Sequence, residues 1–140
     1  MSTRLEHANI TVPDIDAAIS FLKLIDPAFV VRRDETPEGS YRWVHIGNDD
    51  FYIALQQSHI GSTPQPPHRA YTNYGVNHLA WVVDDLGGVI ERLEAAGCKQ
   101  SVEAVTHPHR KHAYYFDHSG MEWEFIEYLS DNPEERNEYR

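Results

Sequence analysis

Two histidines occupy the same place in two copies of one sequence pattern. The stretch 5–14 aligns with the stretch 76–85, so His7 and His78 correspond at an offset of 71 residues. In the second copy, strand alternation places Leu79 and Trp81 on one face and His78 on the other. Histidine is a frequent metal ligand and proton carrier. A single histidine in an apolar strand is usually a core residue, but a duplicated one facing away from the helix is a candidate for either chemistry.

The same repeat predicts the elements that position these histidines. Module one, about residues 5–57, is predicted to contain a strand at 5–12, a helix capped by Asp14 and ended by Pro27, and strands at 29–33, 41–46 and 51–57. Module two, about 76–128, is predicted to contain a strand at 76–83, a helix capped at Asp84-Asp85 and ended by Gly97, and strands at 99–105, 113–117 and 121–128, with a loop at 106–111. A proline-containing linker, 58–75, joins the modules. The tail, 129–140, is expected to be a helical turn or a frayed end.

Each module therefore has the order β-α-β-β-β. We predict an α+β fold, a single domain over residues 1–140, in which two βαβββ modules form a cupped eight-stranded mixed sheet with the helices outside. Alternation in the last strand places Trp123 and Phe125 against the helix, and Glu122 and Glu124 on the concave face with His78. The concave positions predicted in the last strand of module one are Tyr52, Ala54 and Gln56.

Composition excludes several classes of function. A net charge of −10 over 140 residues disfavours binding to nucleic acid or to an anionic membrane. One cysteine, Cys98, excludes an internal disulfide framework. There is no apolar run of signal-peptide or membrane-helix type, so we expect a soluble, cytoplasmic protein.

Three stretches of module two carry a resemblance to a known family. They are HLAWVVDDL at 78–86, the helix end LEAAG at 93–97, and YFDHSGMEWE at 115–124. Together they resemble the vicinal-oxygen-chelate superfamily, which includes glyoxalase I, bleomycin-resistance proteins, methylmalonyl-CoA epimerase and extradiol dioxygenases. The resemblance covers roughly residues 5–128 and is stronger in module two than in module one.

The resemblance implies a metal site with ligands from the first and last strands of each module. The matching positions are His7, His78 and Glu124, whereas the fourth position holds Ala54, which cannot bind metal. Gln56 lies two residues on and is a candidate substitute. Two histidines and one carboxylate suit Fe(II), which we favour, and also Mn(II), Zn(II) or Ni(II). No organic cofactor is implied.

The family's reactions leave three functions open. The segment from Val105 to Glu124 is similar to the extradiol dioxygenase signature, which implies roles near the substrate for His107 and Tyr114; Ala113 and His118 depart from that signature. This similarity favours ring-cleaving dioxygenase chemistry on a small oxygen-chelating substrate. The alternatives are a glyoxalase- or epimerase-type isomerase or lyase, with Glu122 or Gln56 as proton carrier, and a metal-free protein that binds a small molecule such as a drug. We also expect a homodimer, since small members of the family commonly pair.

Overall fold

The computed structural model describes residues 2–65, 68–103, 105 and 107–139. It divides into two compact units, Met1–Pro66 and Pro67–Arg140. The first unit contains β1 (His7–Thr11), α1 (Ile15–Ile25), β2 (Val30–Glu35), β3 (Trp43–Gly47) and β4 (Tyr52–Gln56). The second contains β5 (His78–Val82), α2 (Leu86–Ala95), β6 (Arg110–Phe116), β7 (Glu122–Tyr128) and α3 (Pro133–Arg136). Parts of four predicted segments lie outside the described residues: Pro66 and Pro67 of the linker, Ala104 of the strand at 99–105, Thr106 of the loop after it, and Arg140 of the tail.

Each unit has one mixed sheet, which confirms the α+β class. The first sheet has the order β1-β4-β3-β2 and the second β5-β7-β6. β1 runs parallel to β4 in the first sheet, and β5 runs parallel to β7 in the second. The remaining neighbouring pairs are antiparallel. The same pairing in both units is what a duplicated module predicts.

The described residues contain seven strands rather than the eight predicted, and the difference lies at 99–105. Gln100 forms only an isolated bridge with Tyr115. Two backbone hydrogen bonds flank it, from Ser101 N to Tyr114 O and from Phe116 N to Lys99 O, each 2.9 Å long. The segment therefore pairs with β6 over about three residues, which is too short a ladder to form a strand.

The predicted helix caps are confirmed. The Asp14 carboxylate accepts a hydrogen bond from Ala17 N at the start of α1, and Asp85 accepts one from Gly88 N at the start of α2, each 3.0 Å long. Both satisfy amide groups that have no partner within the helix. Gly97 has a φ of 78° just after α2, a conformation that glycine adopts at little cost. No helix in the described part of the chain is long and apolar enough to cross a membrane.

The face of each sheet that packs on its helix forms the core of that unit, as alternation predicted. In the second unit, Phe125 is fully buried and Trp123 is 3% exposed, and both lie on the α2 side of β7. On α2, Val89 and Leu93 are also buried, at 2% and 0% exposed. In the first unit the corresponding core residues are Phe21, Leu22, Ile25, Val44, Ile46, Ile53 and Leu55.

The tail forms a helical turn, α3, which is one of the two outcomes predicted for it. The side chain of Arg110 forms hydrogen bonds to this turn. The predicted loop at 106–111 was wrong at its end, because β6 already begins at Arg110. Arg110 Nη1 donates to the carbonyl oxygens of Arg136 and Glu138, at 3.1 and 2.9 Å. β6 begins earlier than predicted because its pairing with β7 extends back to Arg110, which is opposite Tyr128.

Glu127 links β7 to the start of α2. Its Oε1 accepts a 2.8 Å hydrogen bond from Leu86 N, and its Oε2 lies 3.0 Å from Lys111 Nζ. The Leu86 amide and then the Lys111 ammonium hold the pKa of this carboxyl below its usual range. A carboxyl whose pKa is lowered by folding stabilises the folded state above its unfolded pKa and loses that contribution as the pH falls through its folded pKa.

We therefore expect Glu127→Gln to lower the free energy of unfolding by about 1 kcal/mol at pH 7, the scale of one charge-assisted hydrogen bond at a helix start. The difference from wild type should shrink as the pH falls below about 4, where the wild-type carboxyl also becomes protonated. Urea unfolding at pH 7 and pH 3 measures it. The same difference at both pH values would contradict the electrostatic account.

Candidate functional site

The open face of the second sheet gathers the polar side chains of three strands. In the parallel β5–β7 pair, His78 is opposite Glu122 and Ala80 is opposite Glu124. In the antiparallel β6–β7 pair, Tyr114 is opposite Glu124. Because partner residues in a sheet point to the same side, His78, Glu122, Glu124 and Tyr114 share the face away from α2.

His78 lies between the two carboxylates. Its Nε2 is 3.1 Å from Glu124 Oε2, and its Nδ1 is 3.3 Å from Glu122 Oε1. This follows from the register, because the two glutamates are two residues apart on β7 and an imidazole ring can span that distance. The two ring nitrogens therefore face different carboxylates.

Glu124 is the centre of a group of hydrogen-bonding rings. Tyr114 forms a hydrogen bond to it, and His112 Nδ1 is 3.4 Å from its Oε1. The Tyr114 ring meets the His78 ring edge-on, with centroids 5.4 Å apart. Burial, followed by the bond to Glu124, raises the pKa of Tyr114 to about 12. At neutral pH the phenol is therefore protonated and acts as a hydrogen-bond donor.

Glu122 has a different set of partners. Its side chain is 6% exposed, and it accepts hydrogen bonds from the hydroxyls of Tyr71 and Ser101. The bond to Glu122, followed by burial, raises the pKa of Tyr71 to about 12. Both hydroxyls are therefore donors at neutral pH.

Tyr71 reaches this site from outside the sheet, in the segment predicted as linker. Its φ is 63°, a left-handed conformation that costs a residue other than glycine about 1 kcal/mol or more. The side chain of Asn77 accepts a 2.6 Å hydrogen bond from Tyr71 N and so holds the turn. The phenol oxygen then lies 2.9 Å from His78 Nδ1.

Three residues of this site were missed by the sequence analysis: Tyr71, Ser101 and His112. For His112 a signal existed, since it precedes Tyr114 by two residues and therefore shares its face of a strand. It was missed because the strand was predicted to begin only at residue 113. Ser101 lies in a predicted strand but gave no chemical signal. Tyr71 lies in a predicted linker, where spacing carries no information about contacts.

The corresponding open face of the first sheet carries His7 in a stack of rings. The His7 and Tyr52 rings are stacked with centroids 4.6 Å apart, and His45 stacks on Tyr52 at 4.5 Å. Glu6 Oε1 lies 3.1 Å from His7 Nδ1. Burial, and then the charges of His7 and Arg32, lower the pKa of His45. His7 thus lies on the predicted face, with His45 as an additional ring beside it.

The positions of the remaining candidate residues are as follows. Ala54 is 4% exposed and pairs with Asn9 on β1 and His45 on β3. Gln56, at the end of β4, pairs with Thr11 and Trp43. His107 lies before β6, where its Nδ1 accepts a 3.1 Å hydrogen bond from His109 N. Gln56 therefore shares the strand face of Ala54, and His107 forms a hydrogen bond within its own turn.

The second sheet supplies a pair of side chains that fits a divalent metal. Neighbouring ligands of an octahedral ion, each about 2.1 Å from it, are about 3.0 Å apart. His78 Nε2 and Glu124 Oε2 are at hydrogen-bond distance, 3.1 Å, which also holds the two atoms at that spacing. Within the described ranges, no three His, Cys, Asp or Glu side chains converge to hold a metal by themselves. The pair therefore supplies two ligands, and any further ligand has to come from another group.

Solved structures with the same fold include three from bacteria. A glyoxalase family protein from Bacillus cereus has a TM-score of 0.78 at 18% identity, with 93% of this chain and 97% of that one covered. A glyoxylase/bleomycin resistance protein/dioxygenase domain from Frankia sp. EAN1pec has a TM-score of 0.75 at 18% identity, with 99% and 100% covered. The fosfomycin resistance protein FosX from Listeria monocytogenes, complexed with Mn(II) and sulfate, has a TM-score of 0.69 at 16% identity, with 99% and 100% covered. At these identities the likeness concerns the fold.

Similarity in sequence gives the family. No curated protein is significantly similar to this chain. The model of the Glyoxalase/Bleomycin resistance protein/Dioxygenase superfamily, however, matches residues 4–125, which is most of its length. The duplicated sheets, the repeated histidine and the β7 glutamate agree with this match, and the chain belongs to the glyoxalase/bleomycin resistance protein/dioxygenase superfamily.

Proposed function

We propose that this chain is a metal-dependent enzyme that acts on a small molecule offering two oxygen atoms to a divalent metal. The observation that carries the proposal is the pair His78 Nε2 and Glu124 Oε2, 3.1 Å apart, the spacing of neighbouring metal ligands. Manganese in FosX supports the choice of a divalent ion. His7 is the third ligand in this proposal, on the strength of its equivalence to His78 in the sequence repeat.

The side chains around the pair are suited to a substrate that carries negative charge on oxygen. A bound divalent metal supplies Lewis-acid stabilisation of such charge. Tyr114 presents a protonated phenol that donates its one proton to Glu124 in the free protein, and a substrate oxygen bound beside Glu124 would compete for that proton. His112 lies on the other oxygen of Glu124 and is a second group able to donate or accept a proton.

For the reaction, we propose ring-cleaving dioxygenase chemistry with Fe(II). Three protein ligands leave three positions on an octahedral ion, enough for a chelating substrate and dioxygen together. Ala54, at the position of a fourth ligand, supports this count, and Gln56 is its one substitute on the same strand face. Tyr114 and His107 keep their implied roles near the substrate as part of this proposal.

Oxygen uptake tests the reaction. Fe(II)-loaded protein should consume oxygen with at least one member of a catechol panel. Tyr114→Phe should keep its iron but consume oxygen about 100-fold more slowly, which is the lower end of the range for loss of a proton-donating group. His107→Ala is the second variant, with slower uptake expected. Tyr74→Phe, at a fully exposed tyrosine, is the matched control and should keep the wild-type rate. If no catechol in the panel supports oxygen uptake, the dioxygenase proposal is contradicted.

The second candidate is metal-assisted chemistry on a small acid, of the isomerase or lyase type with Glu122 or Gln56 as proton carrier. FosX has been solved with Mn(II) and 1S,2S-dihydroxypropylphosphonic acid, a small oxygen-rich acid. In this chain the Arg32 guanidinium lies 4.7 Å from the Tyr52 ring centroid on the first sheet, near His45, so that face offers a cation to an anionic group. Conversion of 2-oxo aldehyde adducts or small phosphonates by the Mn(II)-loaded protein, without oxygen uptake, would favour this candidate.

The third candidate is a metal-free protein that binds a small molecule. It predicts that ligand affinity is unchanged when metal is removed with a chelator. We place it last because a buried carboxylate and a metal-spaced pair are not needed for simple binding.

We also propose that the chain forms a homodimer. β1 and β5 each lie at the edge of their own sheet, and an edge strand with unpaired backbone groups favours pairing with another chain. Sedimentation at micromolar concentration should show a species of twice the 16.1 kDa chain mass. A species of the single-chain mass alone would contradict the proposal.

A further inference from the structure

Glu122 is the one charged side chain that is buried in the part of the chain that the structure describes. A carboxylate is seldom buried unless partners compensate for the lost water. The Ser101 hydroxyl donates to its Oε2, and the Tyr71 hydroxyl donates to its Oε1. Two neutral donors, one for each oxygen, thus fix the orientation of this carboxylate.

The carboxylate and the Tyr71 phenol both face one nitrogen of His78. His78 Nδ1 is 2.9 Å from the phenol oxygen and 3.3 Å from Glu122 Oε1. Because the phenol donates its own proton to Glu122, its oxygen is able to accept one from Nδ1. Both neighbours of Nδ1 therefore accept. Glu124 Oε2, 3.1 Å from Nε2, is an acceptor as well, so each ring nitrogen faces a carboxylate in the metal-free protein. When a metal ion replaces the proton at Nε2, the acceptors at Nδ1 hold the remaining proton on that nitrogen.

The placement of Tyr71 indicates a specific role. Its backbone is held at a φ of 63° by the Asn77 side chain, just before β5. With this turn in place, the phenol lies against His78, the first residue of the strand. A left-handed conformation at a tyrosine needs support from its surroundings, and here the support directs the hydroxyl to His78 and Glu122.

We propose that Glu122, held by Tyr71 and Ser101, is a positioning residue that orients His78 as a metal ligand. The sequence offered Glu122 as a proton carrier, but each of its oxygens already accepts a bond from a protein hydroxyl. In metal sites, such a partner on the far nitrogen of a ligating histidine fixes the ring and raises its basicity. The inference rests on the proposed function, since it takes His78 as a ligand.

The test is the affinity for Mn(II) in the absence of any substrate, measured by calorimetry on the full chain. Glu122→Gln should weaken Mn(II) binding by about 10- to 100-fold, the usual cost of losing such a partner. Tyr71→Phe and Ser101→Ala should each weaken it less. In the Glu122→Gln background, Tyr71→Phe should add little, because the phenol acts through the carboxylate. Wild-type affinity in Glu122→Gln would overturn the proposal.

Matched controls come from the same region. Tyr74→Phe changes a tyrosine that is fully exposed three residues after Tyr71, and Glu103→Gln changes an exposed glutamate near Ser101. Both should bind Mn(II) as the wild type does. If Glu122→Gln does not fold, Tyr71→Phe carries the test alone, because it removes one oxygen at a largely exposed residue; unchanged Mn(II) affinity in that variant would then overturn the proposal.

His78→Ala separates this inference from the proposed function. If His78→Ala keeps wild-type Mn(II) affinity, the metal site is misplaced and both proposals fail. If it loses Mn(II) while Glu122→Gln and Tyr71→Phe keep it, only the positioning role fails. Nitrogen-15 NMR of the Zn(II)-loaded protein gives a second readout: the His78 proton should be on Nδ1 in wild type, and its signal should shift or broaden in Glu122→Gln. A His78 spectrum that is unchanged in that variant would also overturn the positioning role.

Discussion

Alanine in place of either His78 or Glu124 is expected to weaken divalent metal binding by more than about 100-fold. Each side chain supplies one of the two ligand atoms that lie 3.1 Å apart on the open face of the second sheet. Loss of a group that only supports a ligand costs about 10- to 100-fold, so loss of the ligand itself should cost more. Wild-type protein purified without chelators should carry about one metal per chain, and both variants should carry almost none by elemental analysis.

The controls for these variants are His118→Ala and Glu103→Ala, which remove the same side-chain types from exposed positions. They should keep the wild-type metal content. His7→Ala tests the third ligand by the same assay, and loss of metal is expected there too. Stoichiometric metal in both His78→Ala and Glu124→Ala would contradict the site.

Truncation of Phe125 to alanine is expected to produce the largest loss of stability, about 3–5 kcal/mol. Phe125 is fully buried on the α2 side of β7, and Leu93 and Val89 of the helix are buried too. Its removal leaves a cavity under the strand that carries Glu122 and Glu124. Since a domain of this size has a total stability of about 5–15 kcal/mol, the variant should be close to unfolding at 37 °C.

Phe116→Ala is the matched control, because it removes the same atoms from an edge of the same sheet where the side chain is 36% exposed. Its cost should be under about 1.5 kcal/mol. Urea unfolding followed by circular dichroism gives both values. Equal losses for the two variants would show that burial against α2 is not what stabilises this sheet.

Much of this fold could be predicted because its signals are local. Alternation along β7 assigned Phe125 to the helix-facing side of the sheet and Glu124 to the open side. The cap residues Asp14 and Asp85 marked the helix starts. The repeat identified His78 as more than a core histidine, and the structure brings it against Glu124 as strand alternation implied.

The partners of Glu122 could not be predicted, because they depend on contacts between segments that are distant in sequence. Tyr71 reaches Glu122 across 51 residues of chain, and Ser101 reaches it across 21. Nothing in the spacing of a linker indicates a left-handed turn that directs a phenol at a strand. The strand predicted at 99–105 was wrong for a related reason: its apolar residues suit a strand, but the pairing with β6 seen among its described residues is limited to the part near Gln100.

A crystal of the wild-type protein soaked in Mn(II), with anomalous scattering recorded, tests the metal site most directly. The account predicts a single strong anomalous peak within about 2.3 Å of both His78 Nε2 and a Glu124 carboxylate oxygen. A peak at other side chains, or no peak in a soaked crystal at millimolar Mn(II), would contradict it.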